Sequence, residues 1–232
     1  MTENNNFSVA GSTFVDAQRS TVRRLWLVRH GSTLWNEQHR MLGHSDIELS
    51  AQGEHQARRV GELLSRYRIT AIYASDLLRA HRTADIIADQ LAARLPVQLS
   101  AAWREYFFGA WEGLTYAEIA ERYPHDLEFF TDPERHAPTH GEAYDALLQR
   151  VLFAYQELAY AVRDLPEGDI ILVSHGGAMR ALLCAILQMP FSHQWQLRID
   201  HGSLSALDFV PYAENVLATA SLALLNYRLL EA

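Results

Sequence analysis

The sequence predicts an α/β fold built on a mostly parallel sheet, and three observations point to it. Short runs rich in Leu, Ile and Val alternate along the chain with longer stretches whose apolar residues recur at helical spacing. That is the pattern of strands joined by crossover helices. Residues 25–28 and 170–173 are uninterrupted apolar runs, as strands covered on both faces must be. The chain has 232 residues, 49% hydrophobic and 21% charged, enough for a single buried core and unlike a disordered or repetitive polymer.

Residues 1–24 are polar and Asn-rich, with a breaker cluster at Gly11-Ser12-Thr13 and no apolar stretch of signal-peptide type. They are expected to form a flexible extension, dispensable for turnover, ahead of one domain over 25–232. The first strand, 25–28, ends at Arg29-His30-Gly31. After a polar loop, a helix is expected over 52–67, with Ser50 as its N-cap and Glu54 in its first turn. Residues 71–74 form the second strand, closed by Ser75-Asp76. Ala80, Ala84, Ile87 and Leu91 then mark a helical face. Residues 96–99 read as a third short strand.

From 103 to 140 the chain is aromatic and irregular, broken by Pro124, Pro133 and Pro138, and predicts a cap over one end of the sheet. Tyr144, Leu148, Val151, Tyr155, Leu158 and Val162 recur at helical spacing, giving one long helix over 142–163. The strand 170–173 leads through Ser174-His175-Gly176-Gly177 into a helix ending near 187. Two strands, 204–210 and 216–225, close the chain across a hairpin-like turn at 211–215.

Composition excludes several chemistries. Cys184 is the single cysteine, so there is no internal disulfide and no cysteine-based zinc cluster; it reads as an inert core thiol. All 20 basic residues are arginine, which removes Schiff-base and Walker-type lysine mechanisms. A net charge of −8 argues against nonspecific nucleic-acid binding. No apolar run approaches the ~18 residues of a membrane span, and a cytoplasmic protein is expected. No Gly-x-Ser-x-Gly, His-Glu-x-x-His or Gly-x-Gly-x-x-Gly is present. His136 and His140 are separated by Pro138, which breaks any helix that would let them share a metal.

Two of the three best strands end in histidine followed by glycine. In open α/β sheets, ligands bind beyond the carboxyl ends of the strands. Arginine offers a planar donor fork suited to phosphate, and a glycine lets backbone N–H groups approach an anion. The helix opening after Ser174-His175-Gly176-Gly177 would aim its positive end at the same crevice. Alone, Arg29-His30-Gly31 reads as an incidental surface histidine, and the glycines after His175 as needed only for strand-to-helix geometry; the context around His30 changes that balance.

The segment Arg29-His30-Gly31-Ser32-Thr33-Leu34-Trp35-Asn36 resembles the Arg-His-Gly-x-Thr-x-x-Asn signature of the histidine phosphatase superfamily, the phosphoglycerate-mutase-like proteins. Residues 43–53, the Ser75–Ala84 segment with Arg79-Ala80 and Thr83-Ala84, and Ser174-His175-Gly176-Gly177 are similar to its later motifs, in order. The resemblance implies a three-layer α/β/α sandwich. It makes His30 the nucleophile that carries a phosphoryl group, with Arg29, Arg79 and His175 gripping the phosphate. Thr33, Asn36 and Gly176 would shape or bind the phosphate site. Glu105 stands where the family places its general acid, among aromatics that would dry it. Glu112 reads as structural, holding an arginine, and His44 as a surface or supporting residue that could line the mouth. Neither a metal nor a cofactor is required, because two arginines and a histidine supply the positive charge.

Residues 105–113, with Glu118-Ile119, Tyr123-Pro124, Asp132-Pro133 and Gly141-Glu142, resemble the branch of broad-specificity and α-ribazole phosphatases. The implied activity is hydrolysis of small-molecule phosphate monoesters. The alternative is a cofactor-dependent phosphoglycerate-mutase-type phosphotransferase, which grips its substrate with a lysine-containing insertion that a lysine-free chain lacks. A third reading, a phospho-ligand-binding module without turnover, sits poorly with the complete set Arg29, His30, Arg79, Glu105 and His175. The likeness departs at Gly141-Glu142-Ala143, where the branch usually has Gly-Glu-Ser, and at the preceding His140. A homodimer is compatible with the chain, and no residue demands one.

Overall fold

The computed structural model describes residues 22–229. In chain order the elements are β1 (Arg23–Arg29), α1 (Leu34–Glu37), α2 (Ala51–Leu64), β2 (Ile69–Ala74), α3 (Leu78–Ala88), β3 (Val97–Leu99), α4 (Tyr116–Arg122), α5 (Tyr144–Ala161), β4 (Asp169–Ser174), α6 (Gly176–Ile186), β5 (Leu204–Phe209), α7 (Val216–Thr219) and β6 (Ser221–Tyr227). The strands form one six-stranded sheet in the order β3-β2-β4-β1-β5-β6. β1 to β4 run parallel, and β5 alone runs against the rest.

Alternation along the strands divides the core. Leu25 and Leu27 of β1, with Ile170 and Leu172 of β4, pack on one face against α5 and α6. Trp26 and Val28, with Ile171 and Val173, pack on the other against α2 and α3. Successive side chains of a strand point to opposite faces, so an all-apolar strand feeds two cores and the result is the expected three-layer sandwich. Ser50 caps α2, its hydroxyl accepting from the Gly53 N–H at 3.2 Å. Cys184 is buried within the α6 core, where burial pushes its thiol up to about 11. Among the described residues, no helix is long and apolar enough to cross a membrane.

Three expectations need correction. Arg23 and Arg24 belong to β1, not to an extension. The Arg23 guanidinium is buried and donates to the carbonyls of Leu165 at 2.6 Å and Gly168 at 3.1 Å, so cutting the chain after 24 would remove structural contacts. The remainder of that expected extension, 1–21, lies outside the described residues. The last strand begins at Ser221 rather than 216. Asn215 caps a helical turn over Val216–Thr219, accepting from the Ala218 N–H at 3.1 Å, and this local bond overrides the apolar run. The cap over 103–140 is more regular than expected: Thr115 and Glu118 form a capping box that starts α4, and short 3-10 turns flank it.

Candidate active site

β1 and β4 lie side by side in parallel register, with Arg29 opposite Ser174. The next residues are therefore His30 and His175, and the His30 N–H donates to the Ser174 carbonyl at 3.0 Å. Their ring centroids stand 4.9 Å apart, and both side chains are buried. Two guanidinium groups join them. Arg29 donates to the Ile199 carbonyl at 2.6 Å. Arg79, on the first turn of α3, donates to the carbonyls of Ser45 at 3.0 Å and Gly43 at 2.6 Å. Among the described residues neither forms an ion pair with a carboxylate, and the Nε of each is buried without a partner, as are both ring nitrogens of His175. A buried, unpaired cluster of donors is costly unless an anion meets it.

Burial pulls each of Arg29 and Arg79 down to about 10, which leaves both cationic near neutrality. Burial first, and Arg79 next, hold His30 and His175 well below the usual imidazole range, so both rings are neutral. His30 Nδ1 lies 2.7 Å from the Gly31 carbonyl. A carbonyl only accepts, so Nδ1 carries the proton and Nε2 keeps its lone pair.

Glu105 is buried at the start of the cap and reaches across to α6. Its oxygens accept from the N–H of Gly177 at 2.8 and 3.0 Å, of Ala178 at 3.2 Å and of its neighbour Tyr106 at 2.8 Å. The N-terminus of α6, expected to face an anion in the crevice, is thus engaged by this carboxylate. Gly177 is needed for the approach, since a Cβ there would overlap Glu105 Oε1. Gly31 also differs from expectation. A Cβ on it would strike the Gly53 backbone, and its N–H donates to Thr83 at 3.1 Å, so it packs α2 against β1 instead of meeting a ligand.

Residues 25–221 match the profile of the histidine phosphatase superfamily (branch 1). The chain belongs to this superfamily. It is 32% identical over 186 residues to an adenosylcobalamin/alpha-ribazole phosphatase of Escherichia coli K12, covering 80% of this chain and 89% of that one. It is 35% identical over 161 residues to a 2,3-bisphosphoglycerate-dependent phosphoglycerate mutase of Cytophaga hutchinsonii, covering 68% and 75%. The crystal structure of an alpha-ribazole phosphatase from Shigella flexneri superposes with a TM-score of 0.76 at 30% identity, covering 90% of this chain and all of the other. The expectation of an enzyme of histidine phosphatase type stands with this membership.

In this histidine phosphatase fold, Arg29, His30, Asn36, Glu105 and Gly176 line one cavity of about 160 Å³. Arg79 and His175 are fully buried beside it. Thr33 is buried as the N-cap of α1, where its hydroxyl and the Asn36 side chain complete a capping box; Thr33 acts on the loop and Asn36 faces the cavity. Among the described residues, Glu112 holds no arginine directly. Its carboxylate accepts from the His44 N–H at 2.7 Å and the Ser45 N–H at 2.6 Å, fixing the loop whose carbonyls receive Arg79. His44 Nε2 lies 2.9 Å from the Glu105 carbonyl, a supporting position beside the site. His136 and His140 lie in a loop, as expected.

Four site residues carry no clear local signature. Arg150, on α5, donates to the carbonyls of Arg104 at 2.7 Å and Glu105 at 2.8 Å and forms a two-pronged ion pair with Glu142, anchoring the backbone that presents Glu105. An arginine in the middle of the apolar pattern of 142–163, the other being Arg163 at its end, was the available signal. Arg180 and Gln194 line the outer cavity with Trp195, Phe108 and Phe129. Arg180 stacks on Trp195 at 5.2 Å; among the described residues it pairs with no carboxylate, and the buried Gln194 Nε2 has no partner. His201 lies 5.4 Å from His30, ring to ring.

Proposed function

We propose that the protein is a metal-independent phosphatase that hydrolyses small-molecule phosphate monoesters through a phosphohistidine on His30. The carrying observation is the setting of that ring: Nδ1 lies 2.7 Å from the Gly31 carbonyl, the His175 ring stands 4.9 Å away, and Arg29 and Arg79, whose Nε atoms have no partner among the described residues, act on it from nearby. The free Nε2 attacks phosphorus in line, forming the P–N bond as the P–O ester bond breaks. Arg29, Arg79 and His175 meet the charge on the equatorial oxygens, the duty a metal performs elsewhere. With Glu105 as the acid–base group, a proton passes to the leaving oxygen as the ester bond breaks and one is taken from the water that then cleaves the P–N bond, returning free phosphate and neutral His30. The cavity volume favours small leaving groups, and Arg180 with Gln194 favours those that present an anionic or acceptor group.

The mutase-type phosphotransferase remains the second reading, supported by the likeness to a phosphoglycerate mutase; it shares the phosphohistidine and differs in the acceptor. The test incubates wild type and His30→Ala in EDTA with a phosphomonoester panel that includes 3-phosphoglycerate, following free phosphate and 2-phosphoglycerate, with and without 2,3-bisphosphoglycerate. Phosphate release by the wild type alone, insensitive to EDTA, is expected. Isomer formation outrunning release would make it a mutase. Tight phosphate-ester binding without turnover would make it a binding module.

A further inference from the structure

β5 is the one strand that runs against the sheet, and its antiparallel pairing sets Leu204 opposite Val28. The turn that precedes it therefore lies beside Arg29 and His30. Gly202 donates to the carbonyls of Arg29 at 3.1 Å and His30 at 3.2 Å, and the Arg29 N–H donates to Ser203 at 3.2 Å. This pinned turn holds the His201 imidazole 5.4 Å from the His30 ring, at an interplanar angle of 57°. On its other side His201 lines a polar groove of about 390 Å³, with Gln52, His55, Gln56, Arg59 and Arg228. His30 itself is only 2% exposed and does not line that groove. His201 thus stands beside both the nucleophile and the groove.

We infer that His201 is a positioning residue that walls the nucleophile off from this groove, keeping water from the groove side of the His30 ring. The inference rests on the phosphatase reading for its catalytic meaning, though not for its physical content. His30 is faced by Arg29 of β1, Arg79 of α3, His175 after β4 and His201 before β5; the two arginines disfavour an added proton. Burial is the largest of these influences, and it depends on the seal being intact. Burial also drives His201 down to about 2, so the wall is itself uncharged and adds no competing cation while substrate binds. Its Nε2 is buried with no partner among the described residues.

The experiment follows the His30 ring by NMR titration in wild type, His201→Ala and His201→Phe, which needs no turnover. Alanine opens the wall, and the His30 pKa is expected to climb toward ~6.5. Phenylalanine refills it without a nitrogen, and the low wild-type value is expected to return. In parallel, the ratio of kcat/KM at pH 5.5 to that at pH 7.5 is expected to fall about tenfold in His201→Ala relative to wild type, because about nine-tenths of an imidazole with a pKa of ~6.5 is protonated at the lower pH. An unchanged His30 titration in a folded His201→Ala would overturn the inference. So would phenylalanine titrating like alanine, since the ring nitrogen rather than the seal would then matter. If NMR moves as expected but no ester is hydrolysed by any variant, the phosphatase reading fails and the wall stands.

Discussion

Replacing Gly177 by alanine isolates the approach of Glu105 from every other feature of the site. The added Cβ would overlap Glu105 Oε1, the end of a flexible side chain, so the carboxylate must retreat by about 1 Å. Its two short bonds from the Gly177 N–H, at 2.8 and 3.0 Å, lengthen together. Misplacing a reacting group by about 1 Å costs roughly 10²-fold in rate, equivalent to about 2.7 kcal/mol on the barrier. Stability moves in the opposite sense. Position 177 is in the first turn of α6, where alanine improves on glycine by up to ~1 kcal/mol. The expected result is kcat down about a hundredfold on an alkyl phosphate with an unchanged or raised Tm. The loss should be smaller on an aryl phosphate, whose acidic leaving group needs little protonation. A Gly177→Ala protein that turns over the alkyl ester within threefold of wild type would refute the assignment of Glu105 as proton donor. A collapse in Tm would refute the packing argument.

Three further outcomes are expected. Ala143 is the N-cap of α5 and makes no side-chain cap bond, so Ala143→Ser should stabilise by about 1 kcal/mol and raise Tm by roughly 2–4 °C, read by calorimetry, without altering relative kcat/KM values across esters. His30, His175 and His201 all have folded pKa values below the unfolded ~6.5, so the unfolded chain takes up protons that the folded one refuses. Stability is therefore whole above about pH 6.5 and lost below it, by up to ~1.4 kcal/mol per pH unit for each ring, and urea unfolding at pH 7.5 and 5.5 measures the difference. Glu112→Gln weakens the charge-assisted bonds that fix the loop under Arg79, and inhibition by inorganic phosphate should weaken about tenfold; unchanged inhibition would show that Arg79 does not depend on that loop.

The Ala143 position shows how sequence likeness and structure divide the labour. As a departure from a family pattern beside catalytic segments it invites a specificity role, whereas in space it is a missing helix cap on α5. Glu112 was legible as structural, yet what it holds is backbone N–H of the loop under Arg79, since both ends of that contact are remote in sequence. Thr115 and Glu118 were legible in principle, as Thr-x-x-Glu before a short helix, inside a stretch that its prolines mark as irregular.

The sequence by itself determined the apolar runs that became β1, β2 and β4, the Ser50 cap, the long helix α5, and the placing of Arg29-His30 and Ser174-His175 at strand ends. Those features depend on residues a few positions apart, where periodicity and capping chemistry act. Tertiary structure alone decided that β1 and β4 are neighbours in register, which turns two separate histidines into a pair at 4.9 Å. It also decided that β5 runs antiparallel, which carries His201 to the same nucleophile, and that Gly177 receives Glu105 from 72 residues away. Strand order and register are set by burying two faces of one sheet at once, a condition on the whole chain that no local stretch encodes.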